Sequence, residues 1–523
     1  MRFFFFLPFF IVFLGIDLSY AQSGKMDVLH YKFSVDLSDS SDIVIGQADL
    51  TIQIPSQLDS IVLDFSDQMH IQRVLIGTTH VAFVHGKGLI RIPILPAYLG
   101  QSVAVNIKYT GMPRDGLIIS QNKYGQRTFF TDHWPTRASE WLPVVDHPTD
   151  KATCEFVVTA PAHYQVVSNG HLVSEKTLAS GKKMTHWKMD KVIPTKVMAM
   201  GAAEFHVTKL DSMSHVWLYK HHAQHGHRDF GDAPEILRFM EEKIGPYPFE
   251  KLDHVESTTV FGGMENASCI FYSERAIAGK KNLNTLIAHE VAHQWFGNSA
   301  SEAKWGDVWL SEGFATYFEL LYLTEKYGLD SLKKNAALDE KKIIEYEQAH
   351  PQTAIVQTDS SNLNGYLNTL TYEKGAWVLR LLNQRLGQKV FDQIIRTYYE
   401  RYAYSNATSE DFIAVAQEIS GKDLSYFFNQ WLYVPGSPRI NYSWKLKRNS
   451  LELNFEQLTD HTYQLIIDVP IKTSNNSFEI RKVMLTQKKQ QISLDNIRSD
   501  LQGHIVLDPL NIICGTFNAV KAK

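Results

Sequence analysis

Cysteine is scarce: the chain has three, Cys154, Cys269 and Cys514, in 523 residues. Three thiols cannot build a disulfide framework, so a bridge-stapled extracellular module is excluded and stability must come from hydrophobic cores. Cys269 has no basic neighbour in the sequence and reads as a packing residue, not a nucleophile. An excess of one charge is also missing. Lys and Arg total 52 against 56 Asp and Glu, a net charge of −4, which argues against nucleic acid as a main partner. There is no internal repeat and no low-complexity linker. Long apolar runs are absent except at the extreme N-terminus, where Arg2 precedes an apolar stretch from Phe3 to Ile16 broken by Pro8. That stretch has the length of a signal-peptide core and is short for a membrane span. Small residues in Ser19-Tyr20-Ala21 suit a cleavage site, so residues 1–21 are expected to be a leader and the mature chain to begin at Gln22. No cysteine lies near that point, which argues against a lipoprotein. The expected product is an exported protein, periplasmic or secreted and of bacterial type, with no stable membrane insertion once the leader is removed.

What remains has ordinary globular composition, 44% hydrophobic and 21% charged, and a length suited to about three domains. From Gly24 to His206 short alternating runs recur, such as Val44 to Ile52 and Cys154 to Val158, with Gly, Pro and Asn between them. Helical periodicity takes over after a strand-like stretch from Leu252 to Phe261. One helix is expected to begin at Thr408 or Ser409, followed by Glu410 and Asp411, and to end at Gly421. The composition breaks at Val434-Pro435-Gly436-Ser437-Pro438, and alternation returns from Ile440. The reading is a multidomain α+β protein: a leader (1–21), an N-terminal β-rich domain (22–206), a mainly helical catalytic domain (207–433) and a small C-terminal β-sandwich (434–523).

The chemistry is concentrated between Leu283 and Glu319. His289-Glu290-Val291-Ala292-His293 is an H-E-x-x-H motif. On a helix the two histidines lie one turn apart and point the same way, so both imidazoles can bind one zinc ion. Glu290 then lies beside the metal, able to act as a base toward water. Eighteen residues separate His293 from Glu312, which would complete a two-His, one-Glu set and leave a position open, as a catalytic zinc requires. Leu283, Ile287, Val291 and Trp295 form an apolar row beside the histidines, Asn282 or Asn284 can cap the helix start, and Gly297 can close its end. A second apolar helix is expected from about Val308 to Tyr327. Glu319, seven residues after Glu312 on the same face, can orient a ligand histidine or simply pack as a helix glutamate.

These residues resemble the gluzincin metallopeptidases. Two more segments are similar to the aminopeptidase N and leukotriene hydrolase family in particular: Gly262-Gly263-Met264-Glu265-Asn266, like its G-x-M-E-N exopeptidase motif, and Tyr372-Glu373-Lys374-Gly375, like the segment holding its catalytic tyrosine. The resemblance implies a thermolysin-like catalytic domain, one Zn²⁺ per chain held by His289, His293 and Glu312, and Glu290 as general base. It further implies Tyr372 as oxyanion donor and residues 262–266 as the substrate-binding segment, with Glu265 holding the free α-ammonium of a peptide. The partners it implies are peptides with a free N-terminus; it leaves the oligomeric state open. The family's second amine anchor, a Gln or Glu, falls near Asp132 and Trp134, where this chain departs from the pattern. The roughly 85 residues after Pro438 suit a small sandwich, not the large C-terminal helical domain of many family members. The competing functions are a zinc hydrolase of another substrate, such as an epoxide, and a binding protein with a degenerate site.

Overall fold

The computed structural model describes residues 26–280, 283–358, 362–473, 477–498 and 505–521. The leader read in residues 1–21 and the candidate cap Asn282 lie outside these. No helix among the described residues is long and apolar enough to cross a membrane.

Alternating burial builds the N-terminal region. In the strand Asp27–Asp36, Tyr31, Phe33 and Val35 point into the core while their neighbours are partly exposed, as a period of two requires. That strand pairs antiparallel with Val44–Gln53 and parallel with Lys151–Pro161, at the centre of an eight-stranded sheet. A three-stranded sheet packs with it, and a four-stranded sheet (Leu117–Gln121, Arg127–Thr131, Gln165–Ser168 and Met200–Ala203) leads toward the middle region.

The middle region opens with a five-stranded sheet that begins at Phe205. Its strand order places the short strand Gly263–Met264 at one edge, antiparallel to Cys269–Ser273. The helices are α1 (Gly226–Phe230), α2 (Ala233–Lys243), α3 (Asn284–Ala292), α4 (Trp309–Tyr327), α5 (Leu329–Ala349), α6 (Gly375–Leu386), α7 (Gln388–Tyr402), α8 (Ser409–Ser420) and α9 (Ser425–Phe428). The start of α8 is a capping box between Thr408 and Asp411, and its end is Gly421 at φ +62°, both where the sequence places them.

The C-terminal strands form a four-stranded sheet (Arg439–Lys447, Ser450–Gln457, Lys489–Asp495 and Thr516–Ala519) and a two-stranded one (Leu465–Lys472 and Phe478–Leu485). Their apolar residues, including Ile440, Leu451 and Cys514, run into the same core as Trp431, Trp377 and the zinc-motif helix. All three cysteines are free and buried.

Candidate active site

Burial of one apolar row sets the rotation of α3. Leu283, Ile287, Val291 and Trp295 are all buried, which turns His289 and His293 toward the first turn of α4. There Glu312 meets them: its Oε2 lies 3.4 Å from His289 Nε2 and 3.2 Å from His293 Nε2, and the two Nε2 atoms are 3.1 Å apart. The opposite ring nitrogens are held from behind. His289 Nδ1 contacts Glu319 Oε2 at 3.2 Å, while His293 Nδ1 contacts the Phe296 carbonyl and Ser311 Oγ, each at 3.1 Å. Three ligand atoms within 4.8 Å of one another, each imidazole oriented through its far nitrogen, make the one group of this kind among the described residues.

The electrostatics of this cluster are those of groups sharing protons. Burial alone would lower the His289 imidazole, but Glu312, Glu319 and Glu290 outweigh it and hold it well above its ordinary range. His293 is raised in the same way, chiefly by Glu312. Burial would lift the Glu312 carboxyl, yet the two histidines hold it far below the carboxylate range. Glu312 Oε2 makes no well-formed hydrogen bond despite these contacts. Three lone pairs converging on one point, with protons as poor substitutes for a cation, fit a divalent metal.

Glu290 is buried beside this group, and its carboxylate lies against the edge strand: a Cβ on Gly263 would fall 2.1 Å from Glu290 Oε1. Burial pushes its carboxyl up to about 7, against the pull of both histidines. The following turn carries Glu265, whose buried Oε1 has no hydrogen-bond partner. The backbone there is fixed from the zinc-motif side. Gln294 Nε2 and Asn298 Nδ2 donate to the Glu265 carbonyl at 3.0 and 2.6 Å, and the Ser268 N–H donates to Gln294 Oε1 at 2.8 Å. The N-terminal region grips it as well, through Asn169 Nδ2 on the Ala267 carbonyl at 2.6 Å. Asn266 is buried, which leaves no room for a glycan at the sequon Asn266-Ala267-Ser268.

Tyr372 arrives on a π-helical turn, Leu370–Lys374, a conformation frequent at functional sites. Its ring stacks on His289 at 5.8 Å between centroids. The approach depends on two glycines where α4 meets α6: a Cβ on Gly313 would stand 3.0 Å from Gly375 Cα, and one on Gly375 would stand 3.1 Å from Gly313 Cα. Burial, then the charges of Glu312, Glu265 and Glu290, pushes the Tyr372 phenol well above its ordinary value, so its hydroxyl is a donor.

One cleft collects Gly263, Met264, Glu265, His289, Glu290, His293, Glu312 and Tyr372, together with Trp134, Phe261 and Leu367. Glu319 stands behind His289; Gly262 and Asn266 flank the lining strand without forming the wall. Of the two candidates for the second amine anchor, only Trp134 lines the cleft, buried and edge-on to Trp305 at 5.8 Å. Asp132 is turned to Arg137 instead, and burial raises its carboxyl to about 6. Two helix-end readings are corrected. Asn284 does not cap α3; its amide donates to Asp232 Oδ2 and Tyr327 Oη. Gly297 does not close α3 either, because bonds such as Gln294 N–H to the Val291 carbonyl tighten the chain first, and the helix ends at Ala292 with His293 at its cap. Sequence reasoning missed Gln294, Asn298, Ser311, Phe261 and Leu367. For Gln294 a signal existed: a polar residue four positions after Glu290, among the apolar residues that continue the row to Trp295, needs a buried partner.

Comparison with known proteins gives the same picture. Residues 28–197 match the Peptidase M1 N-terminal domain and residues 229–431 match the Peptidase family M1 domain. Aminopeptidase M1 of Arabidopsis thaliana is 26% identical over 97% of this chain and 57% of its own length. Aminopeptidase M1-D of Oryza sativa is 29% identical over 67% of this chain and 42% of its own length. Leukotriene A-4 hydrolase of Xenopus laevis is 23% identical over 91% of this chain and 83% of its own. The chain spans about half the length of the plant relatives it matches. Two profiles of one family, in the order and at the places where the β-rich and helical regions stand, make the assignment: this chain belongs to peptidase family M1.

Proposed function

We propose that this protein is a zinc aminopeptidase, binding one Zn²⁺ per chain and releasing the N-terminal residue of peptides. The observation that carries the reading is Glu265: a buried carboxylate oxygen without a partner, in the wall of the cleft that also holds the metal-ligand group. Such an oxygen is costly unless a ligand satisfies it, and a free α-ammonium is a fitting one. It would fix the chain terminus at a set distance from the reacting bond, so only an end enters.

His289, His293 and Glu312 would hold the zinc, oriented by Glu319, Ser311 and the Phe296 carbonyl. Bound there, zinc supplies a Lewis acid that activates water and polarises a carbonyl. Glu290 takes the proton from the attacking water and passes it to the leaving amine, a role its burial suits by raising its basicity. Tyr372 donates a hydrogen bond to the carbonyl oxygen as charge develops on it. The edge strand Gly263–Met264 offers backbone groups to an extended peptide, and the absence of a side chain at Gly263 lets that peptide come close to Glu290.

The test is metal analysis paired with a panel of aminoacyl reporter substrates. About one zinc per chain and release of free-amine reporters are expected. A zinc-loaded protein that turns over no aminoacyl reporter would contradict the reading and move it to another substrate on the same site.

A further inference from the structure

Lys374 is buried, with 1% of its side-chain surface exposed, two residues from Tyr372, and faces away from the cleft. Its Nζ donates to Glu347 Oε1 on α5 at 2.8 Å and to the Gly436 carbonyl at 2.8 Å. Glu347 Oε1 also accepts from Ser437 Oγ at 2.8 Å, and Tyr463 Oη donates to the same Gly436 carbonyl at 2.8 Å. One ammonium thus joins the tyrosine turn, α5 and the entry to the C-terminal strands. Helix α6, which continues that turn, is tied to the same strands further along: Trp377 Nε1 donates to the Ile512 carbonyl and Arg380 Nη2 to the Leu510 carbonyl at 2.9 Å.

Glu373, Ala376, Trp377 and Arg380 border a cavity of about 150 Å³ shared with α4 and α5. Of the π-helical turn itself only Glu373 reaches this cavity, where it accepts from Lys342 Nζ at 2.8 Å, while Leu370, Thr371 and Lys374 are buried. The turn is therefore held by its buried residues, by the Gly313–Gly375 crossing and by the polar ties of Lys374.

We infer that Lys374 is a positioning residue, through which the C-terminal β strands hold Tyr372 in reach of the reacting carbonyl. This rests on the reading of Tyr372 as the donor given above. A buried ammonium with two partners is a stiff link, because losing Glu347 leaves the charge unpaired and losing the Gly436 carbonyl leaves a buried N–H unsatisfied. Lys374 touches no substrate in this account. Its effect therefore passes entirely through Tyr372, and that distinguishes positioning from general stability.

The experiment compares Lys374→Met, Tyr372→Phe and the double variant in the full zinc-loaded chain, with rates normalised to bound zinc. Tyr372→Phe is expected to lower kcat about 10²- to 10³-fold with KM little changed. Lys374→Met is expected to lower kcat in the same way, and the double variant to be little slower than Tyr372→Phe alone. Multiplying effects, or a Lys374→Met enzyme with parental kcat beside a slowed Tyr372→Phe, would overturn the positioning role and leave Tyr372 standing. A parental kcat for Tyr372→Phe would remove the tyrosine itself and this inference with it. If Lys374→Met does not fold, Glu347→Gln keeps the volume, weakens the same link and carries the same expectations in kcat and in the cycle with Tyr372→Phe.

Discussion

Changing Glu265 to Gln tests the terminus-binding reading with the least disturbance. The side chain keeps its shape, and the backbone around it stays fixed by Gln294 and Asn298, so the strand that meets the substrate should not move. What changes is the charge offered to the α-ammonium. The unpartnered Oε1 is already desolvated, so the wild-type protein pays little new cost when the ammonium arrives. A charge-assisted hydrogen bond of this kind contributes roughly 1.5–3 kcal/mol, which at 1.4 kcal/mol per decade is about a 10- to 100-fold loss in kcat/KM. Asp132 is engaged with Arg137, the indole of Trp134 has no acceptor to offer, and the other carboxylates of the cleft, Glu290 and Glu312, are assigned to the base and metal-ligand roles, so the upper half of that range is expected. The assay is kcat/KM on one peptide in free and N-acetylated forms, with parent and variant. The free peptide should lose most of its advantage over the acetylated one in Glu265→Gln. Equal losses on both forms would refute the anchoring role and reduce Glu265 to a structural residue.

Glu290→Gln should keep its zinc and lose about 10²- to 10⁴-fold in kcat, because the amide cannot accept a proton; loss of zinc with the activity would make Glu290 part of metal binding instead. Glu319→Ala removes the carboxylate behind His289 and should weaken zinc binding about 10- to 100-fold in chelator competition, whereas unchanged affinity would show that His289 needs no such support. Stability should also depend on pH through Asp146, which accepts bonds from Ser139 N–H and Thr195 Oγ1 and whose carboxyl burial pushes up to about 7. The folded state then holds a proton that the unfolded chain releases, so this contribution is complete below about pH 4 and disappears as pH rises through about 7, on the order of 4 kcal/mol in all. In urea titrations Asp146→Asn should lose less stability than the parent between pH 5 and pH 8; identical losses would show that Asp146 is ionised in the folded protein throughout.

Much of the site was legible because its information is local. The histidines are one helical turn apart, the apolar row beside them fixes the rotation of α3, and Glu312 follows at an offset that lets a second helix return. The capping box at Thr408 was equally readable, since its partner Asp411 is three residues away. The supports were not. Asn298 holds the carbonyl of Glu265 from 33 positions away, and Lys374 reaches Gly436 across 62. Nothing in the neighbourhood of either residue marks its partner, because the pairing exists only after the sheet and the helices have packed. The helix ends were misread for a related reason: Asn284 has local capping chemistry, but the packed helix begins at Asn284 itself, after Leu283, and its side-chain amide is turned to Asp232 and Tyr327. Trp134 shows the same limit. A loop rich in aromatic and charged residues does not reveal which member faces the cleft, and here packing against Trp305 decides it.

The central claim is that the cleft accepts a chain end. The most direct measurement follows a single unmodified peptide with the zinc-loaded protein and identifies the first product by mass. The expected product is shorter by one residue at the N-terminus, followed by further single steps, with the same peptide cleaved far more slowly after N-acetylation. Internal cleavage, or equal cleavage of the acetylated peptide, would contradict it and make this protein an endopeptidase.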